Sequence, residues 1–250
     1  MLSIERLSKS FKGIAAISDV TLDFPTGSLT AVIGPNGAGK TTLFNLISGA
    51  LKADAGCVML DGTDLVGLSR TEIVRCGVAR AFQVASIFPS LTVDETLNAA
   101  VQAHRGRAAV LGQRFPLAEC HERAREVVDM LGLSKEADTL SEKLSHGDQK
   151  LLDIALALVL QPRVLLLDEP TAGMGPEERW QMIEKIYRLW EREKMTVVFI
   201  EHDMNIVFKI ANSIRVLCYG RVLAEGTPDQ IRGNADVIAA YLGTEHEAEP

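Results

Sequence analysis

The chain has 250 residues, 47% hydrophobic and 24% charged, with a formal net charge of −7. This mix suits a globular protein large enough to bury a core without disulfide or metal staples. The acidic balance argues against a general nucleic-acid-binding role, which uses a basic surface to displace counterions.

Four cysteines at 57, 76, 120 and 218 make neither a CxxC pair nor a Cys/His cluster of zinc-finger spacing, so reduced thiols are expected. The start, Met1-Leu2-Ser3-Ile4-Glu5-Arg6, lacks the basic opening and apolar run of a signal peptide. The longest apolar stretches, such as Ile154–Leu160 and Val164–Leu167, fall far short of the roughly 18 residues that span a bilayer.

No tandem repeat, low-complexity tract or long linker interrupts the chain. Leu2–Leu7, Ala16–Phe24 and Ser28–Ile33 read as strands, and Lys40–Gly49 as a helix stopped by Gly49. Cys57–Leu60 is a short strand ending at the Asp61-Gly62 turn, Ser69–Arg75 a short helix and Gly77–Phe82 another strand. From Pro89 to Leu160 the strand signal fades. Thr92 and Glu95 form a capping box opening a helix through Ala103, and Leu117–Leu131 and Gly147–Leu160 follow, stopped by Gly132 and Pro162. Alternation then resumes with strand Val164–Leu167, helix Pro176–Glu193 and strand Thr196–Ile200. Pro176 sits in a first turn, where its missing N–H costs little. Helix Met204–Ala211 leads to a hairpin of Ile214–Cys218 and Val222–Ala224, and Thr244–Pro250, with three Glu, reads as a solvated tail. This order predicts an α/β fold with a largely parallel sheet, a core at 1–83 and 162–250, and an inserted helical subdomain at about 84–161.

Gly34-Pro35-Asn36-Gly37-Ala38-Gly39-Lys40-Thr41 fits G-x-x-x-x-G-K-[ST], between an apolar strand and a helix. The glycines let the backbone curl so that successive N–H groups face phosphate oxygens. Lys40 adds a point charge, Thr41 offers a hydroxyl to Mg²⁺, and the helix aims its positive end at the anion. The apolar run 164–167 ends in Asp168 and Glu169. Asp168 would hold Mg²⁺ through its hydration shell and Glu169 would polarise an attacking water. Two exposed acids starting a turn is the minor reading, and the P-loop beside them makes it more so.

His202 ends another buried strand, where open α/β sheets place ligands. Taken alone, it reads more readily as structural. Ser145 and the amides after it make a second anion-binding helix start, a pattern that is also an ordinary N-cap. Two anion sites a hundred residues apart are reconciled if each chain lends its second site to the nucleotide of a partner in a two-fold dimer.

With these residues together, the chain resembles the ATP-binding subunits of ABC transporters over roughly residues 2–243. The ordered motifs are GPNGAGKTT (34–42, ending in Thr42), AFQ (81–83), LSHGDQ (144–149), LLLDEP (165–170) and EHD (201–203). The resemblance implies a P-loop ATPase core with an N-terminal antiparallel β subdomain and an inserted α-helical subdomain. It implies that Phe11 stacks on adenine and that Gln83 senses Mg²⁺ and the γ-phosphate. Ser145 and Gly147 would contact the nucleotide of the other subunit. Glu169 would be the catalytic carboxylate, and His202 the γ-phosphate switch. Two departures stand out: the signature commonly reads LSGGQ, whereas this chain has His146 and Asp148, and the loop Ala172-Gly173-Met174-Gly175 lacks the usual Asp.

The stretches 79–97, 172–178 and 220–243 look like the branched-chain amino acid importer group and its LivG-like type. The expected function is therefore an ATPase driving import of branched-chain or related hydrophobic amino acids. Its expected partners are transmembrane permease subunits, a second ATPase subunit and, indirectly, a periplasmic substrate-binding protein, with no nucleic acid. It would sit peripherally on the cytoplasmic face of the inner membrane. Alternatives are the lipopolysaccharide-export ATPase, a urea or amide importer, and a non-transport ABC ATPase. The last usually fuses two cassettes, inserts coiled coils or adds zinc sites. A small-molecule kinase would leave 144–149 and His202 without a role. The loop His104–Pro116, with Arg105, Arg107 and Arg114, reads as a solvated basic loop, with contact to a membrane partner as the second reading.

Overall fold

The computed structural model describes residues 1–81, 88–106 and 118–245. The chain divides into two compact units, Met1–Cys76 with Lys194–Pro250, and Gly77–Glu193.

In the first unit, β1 (Leu2–Phe11) and β2 (Ile14–Phe24) form an antiparallel hairpin. Their register carries bulges, and the irregular backbone includes Arg6 and Asp19 at positive φ. Leu2, Ile4, Leu7, Ile17, Val20, Leu22 and Phe24 turn to the core. Strands β4 (Ala55–Leu60) and β5 (Thr63–Asp64) complete a sheet of order β2-β1-β4-β5. This is the antiparallel subdomain that the resemblance implies.

Strand β3 (Leu29–Ile33) runs parallel to both β8 (Thr196–Ile200) and β9 (Ser213–Cys218), and β10 (Arg221–Gly226) closes the edge antiparallel to β9. All five residues of β3 and of β8 are buried, as in a sheet covered on both faces. Helix α1 (Lys40–Ile47) stops two residues before Gly49. Ser48 Oγ donates to the Phe44 carbonyl at 2.8 Å, and Gly49 turns to φ 67°. Helix α2 (Arg70–Arg75) begins in a capping box of Ser69 and Glu72.

In the second unit, β6 (Val78–Ala81) pairs parallel with β7 (Val164–Asp168). Among the described residues they are accompanied by the α-helices α3 (Val93–His104), α4 (Ala118–Leu131), α5 (His146–Leu158) and α6 (Pro176–Glu193). Thr92 and Glu95 make the expected capping box of α3. Helix α4 ends where the Leu133 N–H folds back to Val128 O at 2.9 Å, with Gly132 left-handed at φ 73°. Arg123 is buried on α4 and donates to the Leu158 carbonyl at 2.9 Å, tying α4 to the end of α5. Met182, Ile183, Ile186 and Leu189 form the buried stripe of α6.

Returning to the first unit, α7 (Met204–Ile210) follows β8, and α8 (Pro228–Arg232) and α9 (Ala235–Glu245) follow β10. The stretch read as a solvated tail therefore begins inside a helix, because α9 runs through Thr244 and Glu245. Residues 246–250 lie outside the described residues, as does most of the basic loop at 104–116.

Candidate nucleotide site

The first unit carries the glycine-rich loop. Strand β3 is buried to its last residue, so the chain leaves the core at Gly34 and must turn before α1 begins. The Ala38 N–H closes that turn on Pro35 O at 3.1 Å. Gly39 is the N-cap of α1, left-handed at φ 100°, and no side chain among the described residues caps the helix start. Uncapped first-turn amides next to a tight turn form an anion-binding concavity. Lys40 is only 7% exposed, and its ammonium donates to Gly34 O at 2.6 Å and Pro35 O at 3.0 Å. Asn36, Gly37 and Thr41 are exposed, Thr42 is half-buried, and Pro35 and Ala38 are buried.

The β9–β10 turn braces the loop. The Gly220 N–H donates to Ala38 O at 3.0 Å, and Gly220 O accepts from the Ser18 N–H at 2.8 Å. Tyr241 of α9 meets the loop as well. Burial pushes its phenol up to about 12, against the pull of a hydrogen bond from the Gly34 backbone, and the nearby Cys218 adds to the rise.

Also in the first unit, Phe11 at the end of β1 is 44% exposed, with Lys9 Nζ 5.7 Å from its ring centroid. His202 is exposed just after β8, and its N–H donates to the buried Glu201 carboxylate at 3.2 Å. The Asp203 side chain accepts from the Asn205 N–H and caps α7.

The second unit carries the acidic pair. Asp168 ends β7 at 4% exposure, and its Oδ2 accepts from Arg80 Nη2 at 2.6 Å. Asp168 Oδ1 is buried and has no hydrogen-bond partner among the described residues. Glu169 is half-buried with φ 49°, a left-handed conformation costing a side-chain-bearing residue on the order of 1–3 kcal/mol. Lys150 of α5 offsets part of that cost: its ammonium donates to Glu169 O at 3.2 Å and Ala172 O at 2.7 Å, pinning the loop after the acid.

Ser145 is the exposed N-cap of α5 and Gly147 lies in its first turn. Ser145 Oγ accepts from the Asp148 N–H at 3.1 Å and donates to the Asp148 carboxylate at 2.7 Å. The acid at this helix start thus already occupies the serine hydroxyl. Gln83 lies outside the described residues.

The predicted site residues therefore fall into two groups, one in each unit. Sequence reasoning passed over Arg80, Lys150 and Tyr241. The signal for Arg80 is a lone charge in the strand Val78-Ala79-Arg80-Ala81. The signal for Lys150 is a cation on the buried side of α5, where Ile154 and Ala157 are apolar and Asp153 supplies an opposite charge three residues on.

The ABC transporter family matches residues 17–172, and the branched-chain amino acid ATP-binding cassette transporter family matches residues 221–247. The high-affinity branched-chain amino acid transport ATP-binding protein LivG of Escherichia coli strain K12 is 39% identical, covering 97% of this chain and 98% of LivG. The corresponding BraF of Pseudomonas aeruginosa is 37% identical over the same shares. The lipopolysaccharide export system ATP-binding protein LptB of Haemophilus influenzae is 31% identical, covering 97% of both chains. Among solved structures, the ADP conformation of an ATP-binding cassette of an ABC transporter superposes with a TM-score of 0.85 at 29% identity, covering 97% of this chain and 98% of that one. A dimeric post-hydrolysis cassette bound to ADP and Pi superposes with a TM-score of 0.78 at 26% identity, covering 91% and 99%. The chain belongs to the ATP-binding subunits of the ABC transporter family, in its branched-chain amino acid group.

Proposed function

We propose that this ABC-family ATPase powers uptake of branched-chain or related hydrophobic amino acids through partner membrane subunits. The observation that carries the reading is end-to-end similarity to LivG together with the branched-chain match at 221–247, outside the part common to all cassettes. LptB supports a second reading, lipopolysaccharide export, and is less similar over the same share of the chain.

The residues support a division of labour. The N–H groups of Asn36, Gly37 and 39–41 receive the phosphates, and Lys40 exchanges its two loop carbonyls for phosphate oxygens. Phe11 offers an exposed face to the adenine. The Thr41 hydroxyl and Asp168 Oδ1 are hard oxygen donors that suit Mg²⁺, and the orphaned Oδ1 is the acceptor that a hydrated cation would satisfy. When bound, that ion neutralises phosphate charge. Glu169, held in its turn by Lys150, orients the attacking water, while His202 and Gln83 address the γ-phosphate. Ser145 and Gly147 serve the nucleotide of a second ATPase subunit, so the working unit is a dimer.

The inserted helical subdomain at about 84–161 is the part that meets the permeases. Among the described residues, no helix is long and apolar enough to cross a membrane. On this reading, supported by the similarity to LivG, the subunit docks peripherally on the cytoplasmic face of the inner membrane, and a periplasmic binding protein delivers the substrate.

The test is uptake of labelled leucine in cells lacking the gene. Uptake falls on deletion, returns with the intact chain and does not return with Glu169→Gln. Unchanged leucine uptake in the deletion strain refutes the substrate class. A defect confined to lipopolysaccharide export establishes the second reading.

A further inference from the structure

Arg80 is paired with Asp168, and the nucleotide chemistry above gives Arg80 no part. Arg80 sits on β6, where its Cα pairs with Leu166 of β7, two residues before Asp168. The Arg80 side chain is 7% exposed and the Asp168 side chain 3% exposed, with Nη2 and Oδ2 2.6 Å apart. The contact is single-toothed, because only Oδ2 is bonded, while Oδ1 is buried and has no partner among the described residues. A buried carboxylate with one oxygen tied down and the other orphaned is not the arrangement of a purely structural ion pair, which satisfies both oxygens.

We propose that Arg80 is the positioning residue for the cation-binding carboxylate: it anchors Asp168 Oδ2 and presents Oδ1 to the hydrated metal ion. The inference rests on the ATPase reading above for the identity of the metal. It has two physical consequences. Orientation is the first, since a carboxylate tethered at one oxygen cannot rotate its free oxygen out of the site. Charge is the second. The guanidinium neutralises the buried carboxylate, so the pair offers a divalent cation a directed lone pair but no net negative charge. A metal ion is then held firmly only when the nucleotide phosphates supply the missing charge. Arg80 makes divalent binding depend on ATP.

The experiment uses the full chain with Mn²⁺ as the probe, its free concentration read by electron paramagnetic resonance without nucleotide. Arg80→Gln retains a side-chain N–H donor for Oδ2 and removes the charge. Arg80→Lys retains the charge on a flexible stem. Wild type and Arg80→Lys bind Mn²⁺ weakly, and Arg80→Gln binds it at least tenfold tighter, because its buried carboxylate is no longer neutralised. Asp168→Asn added to Arg80→Gln abolishes that gain. ATP affinity in EDTA, measured by calorimetry, is the same in all single variants, since metal-free ATP does not engage Asp168.

Equal Mn²⁺ affinity in wild type and Arg80→Gln overturns the proposal. So does an ATP affinity in EDTA that falls with the Arg80 variants, because Arg80 would then be holding the unit together rather than tuning the metal carboxylate. Failure of Arg80→Gln to fold while Arg80→Lys folds and binds Mn²⁺ tightly also overturns it. Failure of the wild-type chain to bind ATP at all refutes the ATPase reading, and the Mn²⁺ comparison without nucleotide still decides the role of Arg80.

Discussion

Gly37 and Gly39 lie in the same loop, both at positive φ, and differ in what surrounds them. A Cβ on Gly37 (φ 76°) meets nothing within 4 Å. A Cβ on Gly39 (φ 100°) stands 2.6 Å from the Ala16 carbonyl oxygen and 2.8 Å from Ile17 Cδ1. Replacing each by alanine therefore separates backbone strain from steric overlap. A left-handed residue with a Cβ costs about 1–2 kcal/mol, offset by roughly 0.4–1 kcal/mol from the stiffer unfolded chain, so Gly37→Ala costs about 1 kcal/mol. Gly39→Ala carries the same strain plus overpacking of about 1–3 kcal/mol, a total near 3 kcal/mol. At about 2–4 °C per kcal/mol for a chain of this size, Tm falls by about 3 °C for Gly37→Ala and about 9 °C for Gly39→Ala.

The assay is thermal unfolding without nucleotide, followed by circular dichroism, with both variants at one scan rate. Ile17→Val in the Gly39→Ala background removes Cδ1 and recovers only part of the loss, because the Ala16 carbonyl is backbone and stays. Coincident melting of the two alanine variants, or a lower Tm for Gly37→Ala, refutes the reasoning.

Four further outcomes are expected. Glu169→Gln keeps ATP binding and accumulates an ATP-bound dimer on size exclusion, and normal turnover in that variant removes Glu169 from catalysis. Lys150→Met leaves Glu169 O and Ala172 O without their cation; kcat falls at least tenfold with little change in ATP affinity, Lys150→Arg restores most of it, and an unchanged kcat rules out the tether. Asp148→Asn removes the carboxylate that holds the Ser145 hydroxyl; on the proposal that Ser145 serves a partner's nucleotide, the ATP-driven dimer tightens and depends less on salt, and a weaker dimer contradicts this. Tyr241 binds its proton more tightly folded than unfolded, so its stabilising contribution is complete below pH 10 and is lost as pH rises through about 12; Tyr241→Phe flattens that alkaline limb, and an identical limb in both proteins discounts the buried phenol.

The parts legible in the sequence are those where local chemistry and tertiary fold demand the same residues. Pro176–Glu193 and Thr196–Ile200 keep the predicted ends because a proline start, an amphipathic stripe and a fully apolar strand are each encoded locally. Strand β1 runs on to Phe11, beyond its apolar part. Its polar end pairs with β2 through the backbone, which requires no alternation of side chains. Helix α8 was readable, since Thr227 and Gln230 form a capping box with Pro228 behind the cap. Helix α9 was less so: Asn234 is a good start signal, its Oδ1 accepting from the Asp236 and Val237 N–H groups, but the helix that follows lacks a polar face to contrast with a buried one. The partners of Arg80 and Lys150 lie far off in sequence, 88 and 19–22 residues away, so no local pattern announces them.

A chain with net charge −7 still holds single cations in fixed places: Lys40 opens α1, Lys150 lies on α5 and Arg80 on β6. Loop carbonyls and the carboxylate that ends β7 have no ladder partner, and a buried cation satisfies them. The three cations differ in what would draw them away. Lys40 is bonded to two neutral carbonyls, and a phosphate oxygen is a stronger acceptor than either, so Lys40 is exchangeable. Lys150 also holds carbonyls, but they belong to the strained turn at Glu169, and releasing them would free the acid it positions. Arg80 is bonded to a full charge in a buried setting, where separation leaves an uncompensated carboxylate, so it stays. The first unit thus holds one exchangeable cation, and the second unit holds two fixed ones. The net charge of the surface is a statement about solubility, and says little about what the loops can hold.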